Sequence, residues 1–108
     1  MPLFGIRSVI ELAPRPQGKA KHLYEERITV WRAPDINEAI ARAEREARVY
    51  AKGERGPLPL FQAYSLYDDV TFTGDSVEVF SLIRESDLLP AKYLDTFFDT
   101  GKEKSQHE

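Results

Sequence analysis

The chain has 108 residues, a net charge of −3 and no cysteine. That length is one domain, and the missing thiols exclude disulfide staples, thiolate metal sites and a cysteine nucleophile. Leu, Ile, Val and Phe supply 28 residues, which lifts the chain out of the disordered class but allows only a modest core.

The charge is unevenly spread. Residues 1–54 carry ten Lys/Arg against eight Asp/Glu, and residues 55–108 carry five against ten. A mildly acidic chain is a poor phosphate binder, so nucleic acid is not expected as a partner. Arg7 and Glu11 interrupt the first segment, which therefore lacks the apolar run of a signal peptide, and no apolar stretch is long enough to span a bilayer. The expectation is a soluble cytoplasmic protein.

The first strand is Phe4 to Leu12, with Phe4, Ile6, Ser8, Ile10 and Leu12 on one face and Gly5, Arg7, Val9 and Glu11 on the other. Residues 13–22 follow as a connection broken by Pro14, Pro16 and Gly18. Arg15, Lys19, Lys21 and His22 lie there without an acid, and no aromatic residue is present to stack bases, so the stretch reads as a solvated hairpin tip rather than an anion-binding loop. Leu23 to Ala33 is the second strand. Ile28 and Val30 are expected to face the core. Trp31 then falls on the opposite face beside Arg27 and Thr29, to be covered by the C-terminal segment or a second subunit.

Pro34 ends that strand. Asp35 is an N-cap with Glu38 three residues on. The helix runs from Ile36 to about Lys52 and stops at Gly53. Ile36, Ala39, Ile40, Ala43, Ala47 and Tyr50 form its apolar stripe; Glu38, Arg42, Arg45, Glu46 and Arg48 form a solvated face, with Glu38–Arg42 and Glu44–Arg48 at i,i+4 spacing. Residues 53–59 are a loop without the Gly-Lys-Ser/Thr of a phosphate-binding turn. Leu60 to Tyr67 is the third strand. The turn with Asp68, Asp69 and Asp75 lacks calcium-loop register. Ser76 to Arg84 is the fourth strand, with Val77, Val79, Ser81 and Ile83 opposite Glu78, Phe80, Leu82 and Arg84. Apolar residues on both faces predict a central strand covered on both sides. A short helix, Ala91 to Phe98, carries Tyr93, Leu94, Phe97 and Phe98. Residues 1–101 form the domain, and 102–108 are a charged tail expected to be disordered.

Chemistry is sparse. His22 and His107 have no metal-ligand spacing, so no metal and no cofactor are expected. Ser81 sits on an apolar strand face without a base beside it. Asp99-Thr100-Gly101 matches the aspartic-protease tripeptide but ends a helix, so it is set aside. Glu26, Arg27, Glu78 and Arg84 are charges placed on strands. If the second and fourth strands are neighbours, these charges meet across them. Near Tyr24, Tyr64 or Tyr67, a buried carboxylate paired with arginine is either a functional group or a salt bridge that fixes register.

Tyr24-Glu-Glu-Arg27, the helix segment Asn37-Glu-Ala-Ile-Ala-Arg-Ala-Glu, then Glu78-Val-Phe-Ser-Leu-Ile-Arg84 and Tyr93-Leu-Asp-Thr-Phe-Phe98 together resemble a small bacterial family catalogued as domain of unknown function 4288. The resemblance spans roughly residues 22–99. It implies a small α+β bacterial protein and brings no catalytic residues with it.

The expected architecture is α+β: a four-stranded, largely antiparallel sheet in ββαββα order, a long helix on one face and a short aromatic C-terminal helix. Two functions fit. The first is a protein-binding or homodimerisation module without catalysis, because Trp31, Phe72, Phe80, Phe97 and Phe98 are more than one short helix can hide. The second is a small enzyme or ligand-binding protein with a cleft around Glu26, Arg27, Tyr64, Glu78 and Arg84. The candidate binding or interface residues are Tyr24, Glu26, Arg27, Trp31, Tyr64, Glu78, Phe80, Arg84, Phe97 and Phe98. The expected partner is a second copy or another protein, with no nucleic acid and no membrane.

Overall fold

A computed structural model describes residues 1–67 and 71–98. Asp68 and Asp69, the Asp99-Thr100-Gly101 tripeptide and the tail at 102–108 lie outside the described residues. The elements are β1 (Leu3–Leu12), β2 (His22–Arg32), α1 (Ile36–Tyr50), β3 (Gly56–Pro57), β4 (Gln62–Leu66), β5 (Ser76–Ser86), α2 (Pro90–Tyr93) and a π-helical turn over Leu94–Phe98. No described helix is long and apolar enough to cross a membrane.

The sheet is antiparallel throughout and has five strands, not the four expected from sequence. β1 lies inside it. On one side it pairs with β2 along its whole length, from Leu3 opposite Arg32 to Leu12 opposite Leu23. On the other side two short strands share its edge: β4 against Leu3–Arg7, and β3 against Ile10 and Glu11. β5 pairs with β2 and with no other described strand. It is therefore an edge strand, and the expectation of a central strand is corrected. Its apolar residues on both faces are the pattern of burial without the burial.

The α1 helix forms for local reasons. The Asp35 side chain accepts the Glu38 N–H at 2.8 Å, satisfying an orphan donor of the first turn. Glu38 pairs with Arg42 at 2.8 Å across one turn, whereas Glu44 and Arg48 do not come within pairing distance of each other. The helix closes at Tyr50, two residues before the predicted end; Gly53 takes the positive φ of 86° that turns the chain away. Ala39, Ala43 and Ala47 are its buried residues. Their small side chains bring the helix down onto Phe4, Ile6, Trp31, Ala33 and Ala63, with Ile10, Leu12 and Leu23 further along.

Trp31 is thus under the long helix, not under the C-terminal segment. The hairpin register decides this. Phe4 stands opposite Trp31 and Ile6 opposite Thr29, and opposed residues share a face. The odd-numbered β2 residues therefore join the large apolar stripe of β1, and α1 packs on that stripe. Trp31 donates its indole N–H to Thr29 Oγ1 at 2.8 Å within this layer. Ile28 and Val30 belong to the second face, where Val9, Tyr24, Leu58, Tyr93, Leu94 and Phe98 form a separate cluster. The chain 13–21 is held to the far end of the sheet: Glu85 accepts the Lys19 and Ala20 N–H groups, and Asp87 accepts that of Lys21. Those bonds hold the Glu85 carboxyl below its ordinary range.

Candidate functional site

The three consecutive charges in β2, Glu25-Glu26-Arg27, are buried, and alternation sends them to both faces. Each face builds its own polar cluster.

On the α1 face, Arg27 is the centre. It makes a two-pronged contact with Glu46 of α1, both N–O distances 2.9 Å, and donates from Nε to Glu78 of β5 at 2.6 Å. Its guanidinium lies 3.6 Å from the centre of the Tyr50 ring. Burial works against its charge, but the bonds to Glu46 and Glu78 more than offset that and hold the guanidinium protonated. Next to it, Tyr50 donates to Glu25, and Ser81 donates to the same carboxylate. Burial, then the bond to Glu25 and its negative charge, push the Tyr50 hydroxyl up to about 12. A hollow of about 260 Å³ opens beside this cluster, lined by Leu12, Arg15, Glu25, Tyr50, Glu54 and Ile83.

Glu78 reaches Arg27 because of a bulge. Ile28 pairs with Phe80, but Thr29 pairs with Glu78, so Val79 is the extra residue of β5. A one-residue slip exchanges faces. Plain alternation puts Glu78 with Phe80, Leu82 and Arg84; the bulge instead turns it to the α1 face with Ser81 and Ile83.

On the second face, Glu26 is the centre. Its Oε2 accepts from Arg84 and from the Tyr93 hydroxyl, each at 2.9 Å, and Arg7 lies 3.5 Å from its Oε1. Arg7 also donates to Gln62 Oε1 at 3.0 Å and to the Phe98 and Phe97 carbonyls at 3.0 and 3.2 Å. The Tyr93 ring stacks on Tyr24, centroids 4.0 Å apart, and Tyr24 donates to the Leu88 carbonyl at 2.6 Å. Burial and the Glu26 carboxylate push the Tyr93 hydroxyl well above its ordinary range. The cluster fastens the C-terminal turn to the sheet, caught by Arg7 through its last carbonyls and by Glu26 through Tyr93. Glu11 forms a smaller group at the strand ends, with His22 at 2.8 Å and Arg55 at 2.9 Å. Burial opposes its charge, yet those two bonds hold it below the usual carboxylate range.

The cleft residues expected from sequence are therefore divided. Arg27 and Glu78 meet on the α1 face. Glu26 and Arg84 meet on the other, with the sheet between the two pairs. Tyr64 shares the face of Glu26 but lies over Gly5, and among the described residues it makes no hydrogen bond to Glu26 or Arg84. Reading the residues along the chain misses Arg7, Glu25, Glu46, Tyr50 and Tyr93. The available signal is the uninterrupted run of three charges inside an apolar strand, which requires a counter-charge on each face. Among the described residues no buried side-chain nitrogen or oxygen lacks a partner, and no three metal-ligating side chains converge.

Among the described residues no strand pairs with the outer edge of β5. Val79, Phe80, Leu82 and Ile83 are 53, 47, 40 and 55 % exposed, and the backbone beyond them is unpaired among the described strands. Phe80 is the one of the four proposed from sequence as an interface residue. Edge strands are ordinarily guarded by outward charges, proline or a β-bulge, and of these β5 keeps the bulge at Val79. Here Glu78 is drawn to Arg27, Arg84 to Glu26 and Glu85 to the 13–21 loop, and the segment 79–83 between them has neither charge nor proline. Phe97 is also partly exposed, at 38 %, with Arg84 lying 4.2 Å over its ring; Phe98 is buried.

No family model, no curated protein and no solved structure matches the chain.

Proposed function

We propose that the chain is a protein-binding module that works by strand addition along β5, without catalysis of its own. The observation that carries this reading is the unpaired β5 edge, whose central residues are apolar on both faces while its flanking charges are bound inward. Main-chain bonds to an incoming strand supply affinity, and side chains on the two faces supply selectivity. The separation of Glu26 and Arg84 from Arg27 and Glu78 favours this reading over a catalytic cleft. The partner in this reading is protein, met in the cytoplasm, with no cofactor. The proposed kinship with domain of unknown function 4288 rests on the strand and helix motifs and bears on fold alone.

The test is a photo-crosslinking side chain placed at Phe80, compared with the same group at Arg45, which is exposed on α1. Strand addition gives a protein adduct from position 80 in cells and none from position 45. No adduct from 80, or equal capture from both, refutes it.

A further inference from the structure

We infer that the strand added to β5 is the β5 of a second copy, antiparallel, with the two-fold axis through Ser81. This rests on the strand-addition reading and names its partner.

A two-fold interface must complement itself: if one residue meets another across it, the reverse contact occurs as well. The four exposed apolar residues of β5 stand at 79, 80, 82 and 83, which is symmetric about 81. With the axis at Ser81, Phe80 of each copy stands opposite Leu82 of the other, and Val79 opposite Ile83. Opposed residues in an antiparallel ladder must share a face, and these do. Phe80 and Leu82 pair with Ile28 and Glu26, hence lie on the C-terminal-helix face; Ile83 pairs with Glu25, on the α1 face. The bulge leaves Val79 on that same α1 face, because alternation from Phe80 requires it.

Neighbouring axes fail. Moving the axis to Leu82 sets Val79 against Glu85, Phe80 against Arg84 and Ile83 against Ser81. Moving it to Phe80 sets Leu82 against Glu78 and Val79 against Ser81. Of these three axes, only Ser81 matches all four apolar side chains with apolar partners. The positions next outward, 78 and 84, are of opposite charge and come abreast, although the bulge sends their side chains to opposite faces. Joining the edges continues the sheet across both copies, and the α1 helices then lie on one side of it.

The chain has no cysteine, so single thiols report the geometry directly. Residues on the axis face their own copies, about 4.5–5.5 Å apart at Cα, which a disulfide spans. Ser81→Cys is expected to oxidise to a covalent dimer. Val79→Cys and Ile83→Cys are each expected to stay uncrosslinked alone and to form the disulfide heterodimer when mixed, which keeps the test valid if loss of the Ser81 hydroxyl disturbs Glu25. Pairing through residues 79–83 involves few residues a side, so sedimentation should show a reversible dimer that builds over the range from about 1 to about 500 µM. Crosslinking of Ile83→Cys alone, or of a control Arg45→Cys as readily as Ser81→Cys, overturns the Ser81 axis. A monomer at every concentration overturns self-pairing. If the crosslinker at Phe80 then captures a different protein, strand addition stands and only the partner was wrong; if it captures nothing, both readings fall.

Discussion

Arg27→Met removes a cation that ties β2, α1 and β5 together, and keeps most of the side-chain volume. Arg27 is 3 % exposed, and its side chain contacts Glu46, Glu78 and the Tyr50 ring. Removing one partner of a buried pair typically costs about 3–5 kcal/mol, because the other charge is stranded. Here the stranded carboxylates are not deeply buried: the Glu46 and Glu78 side chains are 34 and 37 % exposed. Each can turn to water, so the orphan penalty is discounted and the loss is mainly that of charge-assisted bonds and the ring contact, about 2–3 kcal/mol in all. For a domain of this size that lowers Tm by roughly 10–20 °C. The assay is urea or thermal unfolding followed by the fluorescence of Trp31, the lone tryptophan and a buried one. Glu78→Gln, which leaves the Glu46 contact in place, should lose about 1 kcal/mol. Arg27→Met within about 0.5 kcal/mol of the parent, or more stable than it, refutes the view that this cluster holds the helix and the bulge to the sheet.

Three further outcomes follow from the same contacts. Burial pushes the Tyr24 hydroxyl up to about 12, against about 10 for an unfolded tyrosine; between those values the folded chain binds more protons, so stability is whole below pH 10 and falls as pH rises toward 12, by roughly 2–3 kcal/mol. Ultraviolet titration of the phenolates beside unfolding curves at pH 9 and 11 checks this, and a flat stability profile contradicts it. At Gly5 a Cβ falls 2.5 Å from Cε2 of the Tyr64 ring, so Gly5→Ala should cost about 1–3 kcal/mol through overpacking, and the double change with Tyr64→Ser should recover part of it. Tyr93→Phe leaves Arg84 and Arg7 on Glu26 and should cost about 1 kcal/mol; amide exchange should quicken over Leu94–Phe98 before it does in β1.

What could be read along the chain divides by the range of the cause. The α1 helix was legible because its cap, alanine stripe and stop at Gly53 lie within a few residues of one another. β1 and β2 were legible because their alternation is local too. The side of the sheet that α1 occupies was not, since Ile28 and Val30 compete with Trp31 until the register against Phe4 and Ile6 is known. The edge position of β5 is hidden for a related reason: apolar residues on both faces read the same for a strand buried between neighbours and for one open to a partner. The bulge at Val79 has no local mark, so plain alternation puts Glu78 on the wrong face and a single cleft through Glu26, Arg27, Glu78 and Arg84 would have to cross the sheet. The two-residue β3 is too short to carry a pattern. The short C-terminal helix was expected over Ala91–Phe98; it begins at Pro90 and widens to π geometry from Leu94, where Arg7 takes the Phe97 and Phe98 carbonyls.

The two borders of the sheet are unequal, and that limits what can be assembled from it. One border is β5, eleven residues long. The other is divided between β3, of two residues, and β4, of five, with the chain of residues 58–61 running between them. A divided border offers no continuous row of amides and carbonyls to template a further strand. Once β5 is occupied, a second addition finds no comparable site, and growth halts after a single round. An exposed apolar edge ordinarily threatens open-ended fibres; with one long border among the described strands, the self-pairing proposed above would stop at two copies.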